Sequence, residues 1–138
     1  MQKILKIISL CFLAIFFSCE DKGFIVQCSD CTTEEPVTAQ LSATLDPDHF
    51  YGCLVQIWEG NLEDSILVNS YPTYEKVFTQ EVVLNKKYTV TATYYISGNR
   101  YVAVDSSTPR VRYEKSQCND PCFFVYDKKL ELRLKYTQ

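Results

Sequence analysis

From Val37 onward apolar and polar residues alternate with a period of two, which puts successive side chains on opposite faces of an extended chain and predicts half-buried β-strands. Ala39, Leu41, Ala43 and Leu45 alternate with Gln40, Ser42 and Thr44 before Asp46-Pro47-Asp48 turns the chain. Cys53, Val55 and Ile57 share one face of a second strand, which stops near Glu59-Gly60-Asn61. Ile66 to Val68 predicts a short strand, and Phe78, Val82 and Leu84 a longer one ending at Asn85-Lys86-Lys87. The clearest alternation runs from Tyr88 to Ile96. There Val90, Ala92, Tyr94 and Ile96 face one side and Thr89, Thr91 and Thr93 the other, with β-branched residues where a pleated surface favours them. Ser97-Gly98-Asn99 predicts a hairpin turn into Tyr101 to Val104. Val111 and Tyr113 mark a strand after Pro109, and Phe123 to Tyr126 another. In the last, Lys129 to Tyr136, the residues Leu130, Leu132, Leu134 and Tyr136 alternate with Glu131, Arg133 and Lys135. Short strands with a turn signal about every 8 to 12 residues, and no helical repeat after Cys19, predict an all-β fold: an antiparallel β-sandwich of about 7–9 strands over residues 37–138.

The chain before Val37 reads differently. Lys3 and Lys6 precede an apolar run of 11 residues, Ile7 to Phe17, broken only by Ser9. A bilayer span takes about 20 apolar residues, so 1–18 fits a secretory signal instead. The run ends in Ser18-Cys19, and a Cys directly after an apolar core and a small residue resembles the bacterial lipoprotein signal. Phe16 and Phe17 replace the usual Leu and small residue of that box, as in the looser boxes of Bacteroides-type lipoproteins. This resemblance implies lipidation of Cys19, attachment to the outer membrane and, with Glu20-Asp21-Lys22 directly behind the Cys, display on the cell surface rather than facing the periplasm. Ordinary cleavage near Ser18 is the alternative, leaving Cys19 a free thiol in an oxidising compartment. Residues 19–36, polar except for Phe24, Ile25 and Val26, are expected to form a spacer between membrane and domain.

Composition narrows the choice of function. Of the 138 residues 14 are basic and 17 acidic, and no basic run occurs, which excludes a nucleic-acid binder because affinity for phosphate needs clustered Lys and Arg. Charge is uneven: Glu20 to Asp64 holds 10 acidic residues and 1 basic, and Ser65 to Gln138 holds 7 and 11. His49 is the only histidine, so a histidine-based triad or a multi-histidine metal site is not expected. Asp105-Ser106-Ser107 lacks the acidic spacing of a calcium loop, and no Gly-rich phosphate loop is present. Neither catalysis nor a cofactor is expected. Among the aromatics, Trp58 falls opposite Cys53, Val55 and Ile57, and Tyr95 opposite Tyr94, which makes these two candidates for a binding surface that engages a protein or a glycan.

Leu84-Asn85-Lys86-Lys87-Tyr88-Thr89-Val90-Thr91-Ala92 resembles a step of transthyretin-like (carboxypeptidase-regulatory-like) sandwiches, in which a Leu, a short turn and a Tyr open a central strand. The resemblance implies that Tyr88 anchors a corner between two strands; immunoglobulin-like sandwiches use a similar Tyr. In layout the chain is similar to small Bacteroides-type lipoproteins, which implies adhesion, assembly or scaffold work with no catalytic residues to carry over. An inhibitor or immunity-type protein held at the envelope is a second reading, and a glycan-binding surface protein a third.

Of the 7 cysteines, Cys11 falls within the signal and Cys19 at its end. The remaining five are an odd number. Cys53 lies on an apolar strand face, where a free thiol packs as a small hydrophobe. The other four form two close pairs, Cys28-Ser29-Asp30-Cys31 and Cys118-Asn119-Asp120-Pro121-Cys122. In an exported protein they suit disulfides, most simply Cys28 with Cys31 and Cys118 with Cys122, while cross-pairing would staple the tether to the domain. A four-thiolate zinc site also suits two close pairs, and thioredoxin-like redox chemistry is a third possibility with no strand-helix context behind it.

Overall fold

The structure is a computed structural model that describes residues 26–47, 51–64, 66–115 and 117–135. The signal, Cys19, Glu20-Asp21-Lys22 and His49 lie outside the described residues. Within them are nine strands: β1 Thr38–Thr44, β2 Cys53–Glu59, β3 Ile66–Thr73, β4 Val77–Val83, β5 Tyr88–Ile96, β6 Asn99–Ser107, β7 Arg110–Glu114, β8 Cys122–Tyr126 and β9 Lys129–Glu131. The only helical pieces described are single 3-10 turns at Cys28–Asp30 and Leu62–Asp64, and no described helix is long and apolar enough to cross a membrane.

The expected all-β sandwich is present. One sheet has the order β4-β1-β9 and the other β3-β2-β5-β6, while β7 and β8 form a separate ribbon. Every ladder is antiparallel except β1 with β9, which run parallel over Ser42↔Lys129 to Thr44↔Glu131. An immunoglobulin sandwich groups its first, second, fifth and fourth strands in one sheet; here the first strand shares a sheet with the fourth and ninth, so the pairing is of another kind. The last strand is shorter than its alternation predicts, ending at Glu131. Leu132 nevertheless continues inward, its N–H donating to the Thr44 carbonyl at 2.9 Å.

The core lies between the two sheets, where the inward residues of each strand meet: Leu41 and Ala43 of β1, Val55 and Ile57 of β2, Phe78 and Val82 of β4, Val90, Ala92 and Tyr94 of β5, and Leu130 with Leu132. Polar groups link the layers. Buried Tyr94 donates its hydroxyl hydrogen to the Leu132 carbonyl at 2.8 Å and accepts the Asp46 N–H at 3.3 Å. Burial pushes its phenol up to about 12. Tyr88 is buried as well and accepts the Val83 N–H at 3.1 Å, which binds the start of β5 to the end of β4 across the Leu84–Asn85 turn. At one edge of the sandwich Asn69 and Tyr71 of β3 bond to Gln80 of β4. At the other, the Asp105 carboxylate of β6 accepts the Glu131 N–H of β9 at 2.9 Å.

Candidate functional site

Two regions collect the residues that could carry function: the cysteine cluster beside the β7–β8 ribbon, and the outer face of the four-stranded sheet.

The cysteine region is built on one antiparallel bridge. Thr32 and Phe123 exchange both backbone hydrogen bonds at 2.9 Å, and the Val26 N–H donates to the Gln117 side-chain carbonyl at 3.1 Å. The 3-10 turn at Cys28–Asp30 therefore lies against the loop leading into β8. Cys28 bonds to Cys118 with a Cα separation of 5.8 Å, and Cys31 to Cys122 with 4.9 Å, both inside the usual disulfide span. The local pairing of Cys28 with Cys31 and Cys118 with Cys122 is thus not adopted, and the crossed staple is. One further expectation changes with it: the spacer foreseen up to Pro36 is already fastened to the domain at Cys28. Cys53, by contrast, is the free buried thiol its strand position suggests, and burial pushes it up to about 11.

On the four-stranded sheet, register places the outward residues side by side. Thr89, Thr91 and Thr93 of β5 stand between Trp58, Gln56 and Leu54 of β2 and Ser106, Val104 and Val102 of β6, and Leu67 of β3 lies opposite Trp58. The three threonines are almost completely buried although they face away from the core. Their alternation with Val90, Ala92 and Tyr94 predicts a half-buried strand, but a central strand with taller residues on both sides is shielded from water on both its faces. Thr89 additionally donates its hydroxyl to the Gly60 carbonyl at 2.7 Å. Around this row Leu67, Val102 and Val104 are about half exposed. No charged residue lies between Leu54 and Val104 on the face; Arg100, paired with Tyr95, stands at its corner.

Trp58 and Tyr95 both point outward but do not converge. Trp58 lies opposite Thr89 of β5, and Tyr95 stands six residues further along that strand, roughly 20 Å away at about 3.3 Å per residue. Tyr95 is half exposed, whereas Trp58 is largely covered and its indole Nε1 is enclosed without a hydrogen-bond partner among the described residues. The side chains that complete this face, Val102 and Val104, were not singled out in the sequence. The signal was available, because a two-residue Ser97-Gly98 turn pairs Val102 with Thr93 and Val104 with Thr91, the outward residues of β5.

A cleft of about 310 Å³ opens at the end of this sheet, lined by Glu63, Lys87, Thr89, Asp105 and Ser106 among others. Two of its charges are already engaged: Lys87 donates to the Asn61 side-chain oxygen at 2.5 Å, and Asp105 accepts the N–H groups of Ser106 and Glu131. Asp105 lies in a strand, not in a calcium loop. No protein-family model matches the chain, and no curated protein or solved structure matches it either.

Proposed function

We propose that the chain is a lipid-anchored protein of the bacterial envelope, held to the outer membrane and displayed at the cell surface through Cys19, whose transthyretin-like sandwich is a non-catalytic binding, adhesion or assembly component. The anchor rests on Lys3, Lys6, the apolar run and Ser18-Cys19. The observation that carries the binding role is the uncharged outer face of the β3-β2-β5-β6 sheet, with Leu67, Val102 and Val104 exposed beside a buried threonine row. Apolar area of this kind is costly to leave in water and favours a protein partner whose own apolar surface covers it. A sugar would need a flat aromatic ring open to solvent; Trp58 is largely covered, which leaves the half-exposed Tyr95 at the Arg100 corner as the ring on this face for a sugar to stack on.

Two experiments test the reading. Mass spectrometry of the processed N-terminus should find an acylated Cys19, with Cys19→Ala released into the soluble fraction; an unmodified, soluble wild type removes the anchor. A crosslinked pull-down from native membranes should recover a partner that Val104→Asp no longer retains. Recovery of a single stoichiometric enzyme or toxin would turn the assignment toward an inhibitor or immunity-type protein, and equal recovery by both baits would discard this face.

A further inference from the structure

We infer that Cys28, Cys31, Cys118 and Cys122 make up a redox-gated metal site whose four sulfurs, once both disulfides are reduced, hold one divalent cation of the zinc class. The inference stands apart from the anchor and the apolar face, and it rests on how the two cysteine pairs meet.

Each pair sits on its own short segment, with two residues between the cysteines in one and three in the other, so each segment offers two sulfurs to a common point. Structural zinc sites are built this way, from two close pairs that together complete a tetrahedron. Spacing alone leaves the segments apart; the fold brings them face to face. The sulfurs of Cys31, Cys118 and Cys122 all lie within 4.8 Å of one another, and that of Cys28 is bonded to Cys118. In a tetrahedral shell with metal–sulfur bonds of about 2.3 Å the sulfurs are roughly 3.8 Å apart. Sulfurs joined in a disulfide at about 2.05 Å therefore separate by less than 2 Å to make room for the ion.

Two features keep the site together after reduction. The paired Thr32–Phe123 hydrogen bonds and the bond from Val26 to Gln117 hold the segments without help from sulfur. The cluster also opens to solvent through a cleft of about 360 Å³, lined by Thr33, Gln117, Asn119 and Asp120 beside the cysteines. Asp120 is the one charged side chain in that lining, so the entrance attracts a cation. Cys53 belongs to the core on β2 and takes no part.

The chemistry balances as follows. Each disulfide accepts two electrons and two protons from a dithiol, which leaves as its own disulfide, so two dithiols yield four thiols. On binding, each thiol gives its proton to water and its sulfur lone pair to the metal; one dication enters, four protons leave, and the centre carries a net charge of −2. Low pH opposes binding for that reason. Oxidation runs the sequence backward: the disulfides re-form and the ion is released. In either state the N-terminal segment stays fastened to the β7–β8 ribbon.

The test uses the full mature chain, reduced with excess dithiol, desalted without oxygen and given zinc or cobalt. We expect about one metal per chain to survive a second desalting, for wild type and Cys53→Ser alike, and none for the oxidised protein. Cobalt should produce the intense sulfur-to-metal charge-transfer absorption of a tetrathiolate, and zinc should raise the melting temperature of the reduced chain alone. Cys118→Ser, reduced in the same way, should retain at least tenfold less metal at equal free zinc. A reduced wild type that keeps its far-UV circular dichroism and retains no metal overturns the inference. So does a reduced chain that unfolds and is not refolded by stoichiometric zinc, or a Cys118→Ser variant that binds as well as wild type.

Discussion

Cys53 and Tyr94 are neighbours across the β2–β5 ladder, and both bury an ionisable group in the same core. Each has its pKa raised, the thiol to about 11 and the phenol to about 12, because the charged form would lose its hydration. The sign follows from linkage: the unfolded chain ionises first, so the stability these groups contribute is complete below their ordinary pKa values and declines as pH rises through the folded ones. Urea midpoints should therefore fall steadily above pH 9, and Cys53→Ala should remove the portion between about pH 9 and 11. In the native state Cys53 should resist alkylation at pH 8 and react fully in denaturant, as read from the modified peptide. Tyr94→Phe deletes a hydroxyl bonded to Leu132 and Asp46, leaving the buried Leu132 carbonyl without that donor; a loss of about 1–3 kcal/mol with an unchanged urea m-value is expected. On the surface, Arg133 grips the Glu131 carboxylate through two bonds of 2.7 Å and holds it down at about 2. What that pair contributes is present above the ordinary carboxylate range and is lost as pH falls through about 2; in Arg133→Gln the carbon-detected titration of Glu131 should return toward about 4.3.

Among the elements, β5 was the most legible. Its bounds coincide with the alternation from Tyr88 to Ile96, and the turn after it uses Ser97 and Gly98, both at positive φ, as a two-residue hairpin requires. Its inward set, Val90, Ala92 and Tyr94, is the one the period predicts. What the period did not convey is that the threonine side is also enclosed, since that depends on the height of side chains in β2 and β6. At the edge of the same sheet β3 extends to Thr73, well past the predicted Val68, because Asn69, Ser70 and Pro72 break its apolar run while the ladder to β2 continues. Gly52 shows how closely these elements are set. It has a φ of +62°, and an added Cβ would meet the Thr73 carbonyl oxygen at 2.6 Å, so Gly52→Ala should cost about 1–3 kcal/mol in chemical denaturation and disturb the start of β2 first. An amide-exchange map showing no local loss of protection around Cys53 would contradict this.

For the whole molecule the crossed disulfides matter most. Cys28–Cys118 closes a loop of 90 residues and, in the chain-entropy model, removes about 4–5 kcal/mol of unfolded-state entropy, against about 2 kcal/mol for a ring within either close pair. Cys31–Cys122 lies directly beside it and adds less, because its ends are already held close. A non-reducing digest should yield a cross-linked species joining the segment of residues 28–31 to that of 118–122, and the combined Cys28→Ser, Cys31→Ser, Cys118→Ser, Cys122→Ser variant should lose several kcal/mol while keeping its strand signature in circular dichroism.

By itself the sequence determined the all-β class, most strand positions, the inward residues of each strand and the isolation of Cys53. These follow from a period of two and from turn chemistry, which act over a few neighbouring residues. Only the tertiary structure decided that β9 joins β1 in parallel, that β5 is enclosed on both faces, that the outer valines share a face with Trp58, and that the cysteines pair across the chain. Each of these joins residues tens of positions apart. Local alternation states that a face must be covered but not by what, and the answer lies in the path by which the chain returns.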